Sequence, residues 1–134
     1  MIVTAEQLRK LGACEGAVAR LVALFGDSVD VTEEWCVAHA LVAECVWDWA
    51  AGKLLPTHAW ENYDRALAPA SNDYFRAVAI AFAKVTDWNE HEQTRATALA
   101  GFHRAVAAAW AVYAPIAAPL FGRLLNENGN AIKA

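Results

Sequence analysis

The sequence predicts an all-α fold, a single bundle of five to six helices around a central hydrophobic helix at about residues 32–55. Hydrophobic residues make up 57% of the 134-residue chain, and much of this share is alanine, the best helix former. Apolar side chains also recur at helical spacing in several long segments. A chain of this length argues for one domain, 1–134, with a frayed tail at 126–134 and no internal repeat.

The first helix begins at Thr4, which forms a capping box with Gln7. Gly12 ends this helix, because glycine adopts a left-handed conformation without a steric penalty. A second helix is predicted from about Cys14 to Phe25. It is followed by a turn at 26–28 and a short extended piece at 29–31, where valines alternate with a charged residue.

The central helix is capped by Asp30 or Thr32, with Glu33 and Glu34 at the positive end of the helix dipole. It continues to about Leu55, where Pro56 stops it. Apolar residues cover most of its circumference, which is typical of a buried helix. They form two stripes, one of Trp35, Ala38, Val42, Val46 and Trp49 and the other of Cys36, Ala40, Ala43, Trp47 and Ala50.

The second half of the chain is expected to hold a short helix at 58–67, a loop at 69–72 and a long helix that begins at about residue 73. A second capping-box pair, Asp87 and Glu90, opens a last helix to about Ala114, which Pro115 and Pro119 kink or break. The apolar run 105–121 approaches the length of a membrane span. We favour a core helix there, and we expect no membrane contact.

The formal net charge is −4 and the pI is about 5.5, whereas nucleic-acid-binding domains usually carry a basic patch. We therefore expect no nucleic-acid partner. Charge complementarity within the fold and an acidic face for a basic protein partner both explain the crowding of acids in the first half. These acids are Asp27, Asp30, Glu33, Glu34, Glu44, Asp48, Glu61 and Asp64, and the bases of 93–125 are Arg95, Arg104 and Arg123.

No cofactor or metal site is predicted. Cys14, Cys36 and Cys45 lie among apolar neighbours, where a free thiol behaves as a small hydrophobe. They favour a reducing compartment, the cytoplasm. Cys36 and His39 lie three residues apart, but the sequence shows no four-ligand zinc pattern around them.

No catalytic residue is predicted either. Glu44 and Asp48 lie one helical turn apart, and such a pair could bind a cation, pair with Arg65 or Arg104, or act in acid–base chemistry. A solvated strip or an internal salt bridge explains the pair more simply. The chain has neither the Gly-x-Ser-x-Gly frame of a serine nucleophile nor a glycine-rich phosphate loop.

The chain has six tryptophans, a residue enriched both in cores and at binding hot spots. Trp47 and Trp49 point in nearly opposite directions around a helix, so one of the two is expected to reach an edge. We therefore predict that acidic and tryptophan side chains form a partner-binding surface. Its candidate residues are Glu44, Trp47, Asp48, Trp60 and Asp64.

Residues 11–14 read Leu-Gly-Ala-Cys, and residues 47–51 read Trp-Asp-Trp-Ala-Ala before a Leu-Leu pair at 54–55. With Leu8, Val18, Phe25, Val31-Thr32 and Cys36, these motifs resemble a segment of uncharacterised phage and mobile-element proteins. Some of those proteins are grouped as immunity proteins. The resemblance covers the first 55 residues and contains no catalytic motif, so it implies a phage-type source and a non-enzymatic role.

The leading hypothesis is a non-catalytic protein that binds another protein stoichiometrically, as an inhibitor, immunity or anti-defence factor. The alternative is a phage structural or assembly protein that self-associates, possible because alanine-rich helices pack closely. A more remote alternative is a small metal-dependent or acid–base enzyme that uses Glu44, Asp48 and a nearby histidine.

Overall fold

The computed structural model describes residues 1–42, 45–86 and 92–128, with the backbone alone for 86 and 92–95. It confirms the all-α fold, since the described residues form six helices and one small antiparallel ribbon. In chain order the elements are β1 (Ile2–Thr4), α1 (Ala5–Lys10), α2 (Glu15–Phe25), β2 (Ser28–Asp30), α3 (Glu33–Ala38), α4 (Trp47–Leu54), α5 (Thr57–Thr86) and α6 (Glu92–Glu127).

The N-terminal lobe, residues 1–30, consists of α1, α2 and the ribbon in which β1 pairs with β2. Thr4 and Gln7 form the predicted capping box. Gly12 follows Leu11, the C-cap residue of α1, and its φ of 89° is in the left-handed region. The predicted extended piece is also confirmed, because β2 occupies residues 28–30.

The predicted continuous helix at 32–55 is wrong. Thr32 caps α3 as expected, since its hydroxyl accepts from the Trp35 N–H at 3.0 Å. However, α3 ends at Ala38, and α4 begins only at Trp47. The Trp47 indole N–H donates at 2.9 Å to the Ala40 carbonyl, which a continuing helix would use for its own backbone bond. This tertiary hydrogen bond helps to explain the break.

The prolines do not end the long helices. Pro69 lies inside α5, and Pro115 and Pro119 lie inside α6, so the predicted loop at 69–72 and the predicted break after Ala114 are both wrong. Each proline removes one helical N–H. The two helices pack against each other along their length, and this packing compensates for the missing backbone bonds.

The central element is α6, which packs against α3, α4 and α5. Its buried stripe recurs at helical spacing and consists of Tyr113, Ala114, Ala117, Ala118, Phe121, Leu124 and Leu125. By length and composition, residues Ala96–Glu127 of this helix could also cross a membrane, with a mean hydropathy of 1.6 and 33% of the apolar window buried. The stripe gives the C-terminal part of α6 the burial pattern of a core helix.

Aromatic side chains contribute to the contact between α5 and α6. A short motif that the sequence reading missed, aromatic-x-Arg-Ala-aliphatic, occurs at 63–67 and 74–78 of α5 and once in α6, at 102–106. The two copies in α5 are eleven residues apart, close to three helical turns, so their equivalent positions share one face of that helix. Tyr74 of α5 packs on Tyr113 of α6 with ring centroids 5.3 Å apart and on Trp110 at 6.2 Å.

The start of the predicted tail belongs to α6. The Asn126 side-chain amide donates to the carbonyls of Val31 at 2.8 Å and Gly122 at 2.7 Å. Its side-chain oxygen accepts from the N-terminal ammonium group at 2.8 Å. Residues 129–134 of the tail and the predicted capping pair at Asp87 and Glu90 lie outside the described residues.

Candidate functional site

Asp48 lies in the first turn of α4 and accepts hydrogen bonds from two tyrosines. The hydroxyl of Tyr63 on α5 donates to its Oδ1 at 2.6 Å, and the hydroxyl of Tyr113 on α6 donates to the same oxygen at 2.5 Å. Both tyrosine side chains are buried. One carboxylate therefore connects three helices, and this geometry gives Asp48 a structural role.

The two tyrosines are held in their neutral form. Burial raises the pKa of Tyr63, and its hydrogen bond to the Asp48 carboxylate raises it further. The same two causes raise the pKa of Tyr113 to about 12. A neutral hydroxyl donates to a carboxylate, whereas a tyrosinate would place a second negative charge beside it. The network therefore requires protonated tyrosines.

We expect the protein to lose stability in alkali. Because the pKa of Tyr113 is higher in the folded chain, its stabilising contribution is complete below an unfolded value of about 10 and is lost as the pH rises towards about 12. This residue alone should lower the free energy of unfolding by about 1.3 kcal/mol between about pH 9 and about pH 11. Urea titrations at both pH values measure the change, and tyrosinate absorbance reports the ionisation. If the free energy of unfolding of Tyr113→Phe falls between the two pH values as much as that of the wild type, the assignment to Tyr113 is contradicted.

The predicted partner-binding residues do not all lie on the surface. Trp47 is a core residue with 2% of its surface exposed, so its prediction as a surface residue is wrong. Trp60 is half-buried and stacks on Tyr63 with ring centroids 5.8 Å apart, and Asp64 is exposed on the same helix. Glu44 lies outside the described residues. Asp48 thus belongs to the tyrosine network, and Trp60 packs on one of its tyrosines. Asp64 is exposed on the same helix as Trp60, whereas Trp47 lies in the core.

The cysteines differ sharply in their surroundings. Cys36 is fully buried where α3 meets α6, and burial raises the pKa of its thiol to about 12. Cys14 is exposed at the N-terminus of α2, where the backbone N–H groups of Ala17 and Gly16 lower its pKa. Within the described part of the chain, no three His, Cys, Asp or Glu side chains are grouped so that they could hold a metal ion.

A cavity of about 420 Å³ lies between the N-terminal lobe and the helices behind it. All but one of its lining residues lie between Val3 and Leu54, and Phe121 of α6 completes the wall. If the cavity were an enclosed empty void, it would lower the free energy of unfolding by about 10 kcal/mol, which is as large as a typical folding stability. The cavity is instead open and apolar, and its volume matches that of small-molecule sites.

The second candidate surface is the distal hairpin, which we define as residues 75–85 of α5 and 96–106 of α6. Phe82 and Phe102 pack edge to face across it, with ring centroids 6.2 Å apart. The core cluster of the bundle does not extend into it. Several large apolar side chains remain 45% or more exposed, namely Phe75, Ile80, Phe82 and Leu99.

The sequence reading found neither the cavity nor the distal hairpin, although each left a signal. The predicted loop at 69–72 excluded a long helix there, although the motif shared by 63–67 and 74–78 indicated one continuous helix across Pro69. The cavity depends on how the N-terminal lobe rests on the bundle. Phe25 of α2 makes part of that contact, at ring-centroid distances of 5.2 Å from Trp35 and 4.8 Å from His39.

Comparisons with family models, with curated proteins and with solved structures find no match to this chain. The resemblance of the first 55 residues to phage and mobile-element proteins stays a prediction. The comparisons therefore give no evidence on function, and the structural evidence is the geometry of the candidate surfaces.

Proposed function

We propose that the protein is non-catalytic and binds one other protein through the distal hairpin. It would act stoichiometrically, as an inhibitor, immunity or anti-defence factor of a phage or mobile element. The observation that carries this proposal is the exposure of Phe75 (61%) and Phe82 (58%), which lie seven residues apart and therefore on one face of α5. Exposed apolar patches of this kind commonly mark protein-interaction sites. The class of inhibitor rests on the resemblance of the first 55 residues.

Charge adds a preference for the kind of partner. Glu33 and Glu34 are exposed at the start of α3, and Asp27 is exposed in the preceding turn. Two other acids are already engaged, Asp48 with the tyrosines and Asp30 with the N-terminal ammonium group at 2.9 Å. The free carboxylates would speed association with a basic protein surface, and added salt should weaken that effect.

The same hairpin supports a second candidate, self-association. Two copies could pair through a two-fold axis, so that the exposed residues of one hairpin cover those of the other in a four-helix arrangement. This reading favours a structural or assembly role. The two candidates differ in what covers Phe75 and Phe82, namely a foreign protein or a second copy of the chain.

A charge placed in the hairpin tests both candidates. We expect Phe82→Asp to abolish binding, because a carboxylate inside an apolar interface loses its water without gaining a partner. Asn72→Asp adds the same charge at an exposed position of α5 outside the hairpin and should leave binding intact. Circular dichroism must first show that both variants are as helical as the wild type.

The readouts are pull-down from a bacterial host lysate with mass spectrometry, and light scattering of the purified protein over a range of concentrations. One stoichiometric partner that Phe82→Asp loses and Asn72→Asp keeps supports the inhibitor class. A mass that rises with concentration in the wild type but not in Phe82→Asp supports self-association. A monomer without a partner in all three proteins would contradict both.

A further inference from the structure

We propose that the cavity beneath the N-terminal lobe is a binding site for a small apolar molecule, an alkyl chain or a flat ring system, whose polar end is uncharged or cationic. This site is separate from the distal hairpin, so the proposal does not depend on the function proposed above.

Size and lining define the apolar part of the ligand. The cavity holds about 420 Å³, within the range of about 300–1,000 Å³ that is typical of small-molecule sites. Its walls come from the ribbon, from α1 and α2 on one side and from α3, α4 and α6 on the other. Leu8, Leu21 and Phe25 line it from the lobe, and Trp35, Trp49 and Phe121 line it from the helices behind.

Polar groups make up only a small part of the wall. The Trp47 indole N–H already donates to the Ala40 carbonyl, and the Asp27 carbonyl already accepts from the Ala5 N–H at 2.9 Å. Binding must therefore come mainly from the burial of apolar surface, which favours hydrocarbon over sugars, nucleotides or peptides.

Charge in the lining defines the polar end. Among the described residues that line the cavity, Asp27 is the only one with a charged side chain, and it is exposed. A carboxylate on a lining residue attracts an ammonium group and repels a fatty-acid carboxylate. The ligand class is thus a neutral or cationic amphiphile.

The first experiment uses N-phenyl-1-naphthylamine, an uncharged probe that fluoresces in apolar surroundings. We expect saturable binding of one probe per chain. Ala17→Phe places a ring in the cavity from α2 and should weaken probe binding at least about tenfold. Ala19→Phe is the matched control, because residue 19 lies on the same helix, is exposed and does not line the cavity.

A second variant on the opposite wall, Ala50→Phe, repeats the test if Ala17→Phe fails to fold. Phe82→Asp should bind the probe like the wild type, which separates this site from the hairpin. Loss of the probe in Phe82→Asp would place it on the hairpin and overturn the proposal. Unchanged binding in both cavity-filling variants, or no saturable binding by the wild type, would also overturn it.

Displacement of the probe tests the charge of the polar end. Dodecylamine should displace it at lower concentrations than dodecanoate, and Asp27→Lys should reverse that order while leaving the neutral probe unaffected. The backbone bond from Ala5 to residue 27 is retained in this variant. Equal displacement by the two amphiphiles in the wild type would overturn the assignment of the polar end.

Discussion

Asp48→Ala should lower the free energy of unfolding by about 3–5 kcal/mol. The substitution removes the acceptor of two tyrosine hydroxyls, and Tyr63 and Tyr113 are only 1% and 2% exposed. A hydrogen bond to a charged group is worth about 1.5–3 kcal/mol, and a buried donor without an acceptor costs about 1–3 kcal/mol. Chemical denaturation followed by circular dichroism measures the difference.

Three further variants identify the cause of the loss. Asp48→Asn keeps an oxygen that can accept a hydrogen bond and should cost only about 1–2 kcal/mol. The triple variant Asp48→Leu, Tyr63→Phe and Tyr113→Phe removes every polar member and should recover most of the loss, because replacing all partners with apolar groups is nearly neutral. Asp64→Ala removes an exposed acid nearby and should change stability by less than about 0.5 kcal/mol.

This experiment also decides between two roles for Asp48. If the carboxylate serves to connect α4, α5 and α6, stability falls while the folded fraction still binds its partner or probe. If Asp48→Ala is as stable as the wild type within about 0.5 kcal/mol, the network contributes little. The acid would then be free for the partner-binding role that the sequence suggested.

The local features of the fold could be predicted because their causes lie within a few residues. The Thr4 capping box, the Thr32 cap and the left-handed glycine at residue 12 each depend on near neighbours in the chain. The break between α3 and α4 depends instead on the bond from Trp47 to the Ala40 carbonyl. The surrounding residues, many of them alanine, favour helix, so no local signal opposed the continuous helix.

The errors in the candidate site follow from that break. A helix continuous to Leu55 placed Glu44 and Asp48 on one face and turned Trp47 towards an edge. With α4 beginning at Trp47, the tryptophan is a core residue and Asp48 turns towards the tyrosines. The proline errors have a similar origin, because packing between long helices outweighs a local cost of about 3 kcal/mol per proline.

Gly122→Ala should lower the free energy of unfolding by about 3 kcal/mol, the upper part of the usual range for overpacking. A Cβ atom at residue 122 of α6 would lie 2.8 Å from the Cys36 Sγ, 3.0 Å from the Glu33 Cα and 3.1 Å from the Thr32 carbonyl oxygen. Two of these three contacts are with backbone, which cannot rotate away. The added methyl group must therefore move α3 away from α6.

A matched control lies in the same helix. At Gly101 an added Cβ would approach only the Arg104 side chain at 3.8 Å, an ordinary contact. Gly101→Ala should therefore raise stability by about 0.5–1 kcal/mol, because alanine loses less backbone entropy than glycine on folding. Opposite signs for the two substitutions would show that contact with α3, and not helix propensity, determines the result at residue 122.

The contact with Cys36 can be separated from the backbone contacts by a double-mutant cycle. Cys36→Ala removes the sulfur at 2.8 Å but leaves the Glu33 and Thr32 backbone in place. Gly122→Ala should then cost less in the Cys36→Ala background than in the wild type, without becoming neutral. An equal cost in both backgrounds would assign the whole effect to the backbone. A stabilising Gly122→Ala would contradict the close approach of α3 and α6, on which the bundle depends.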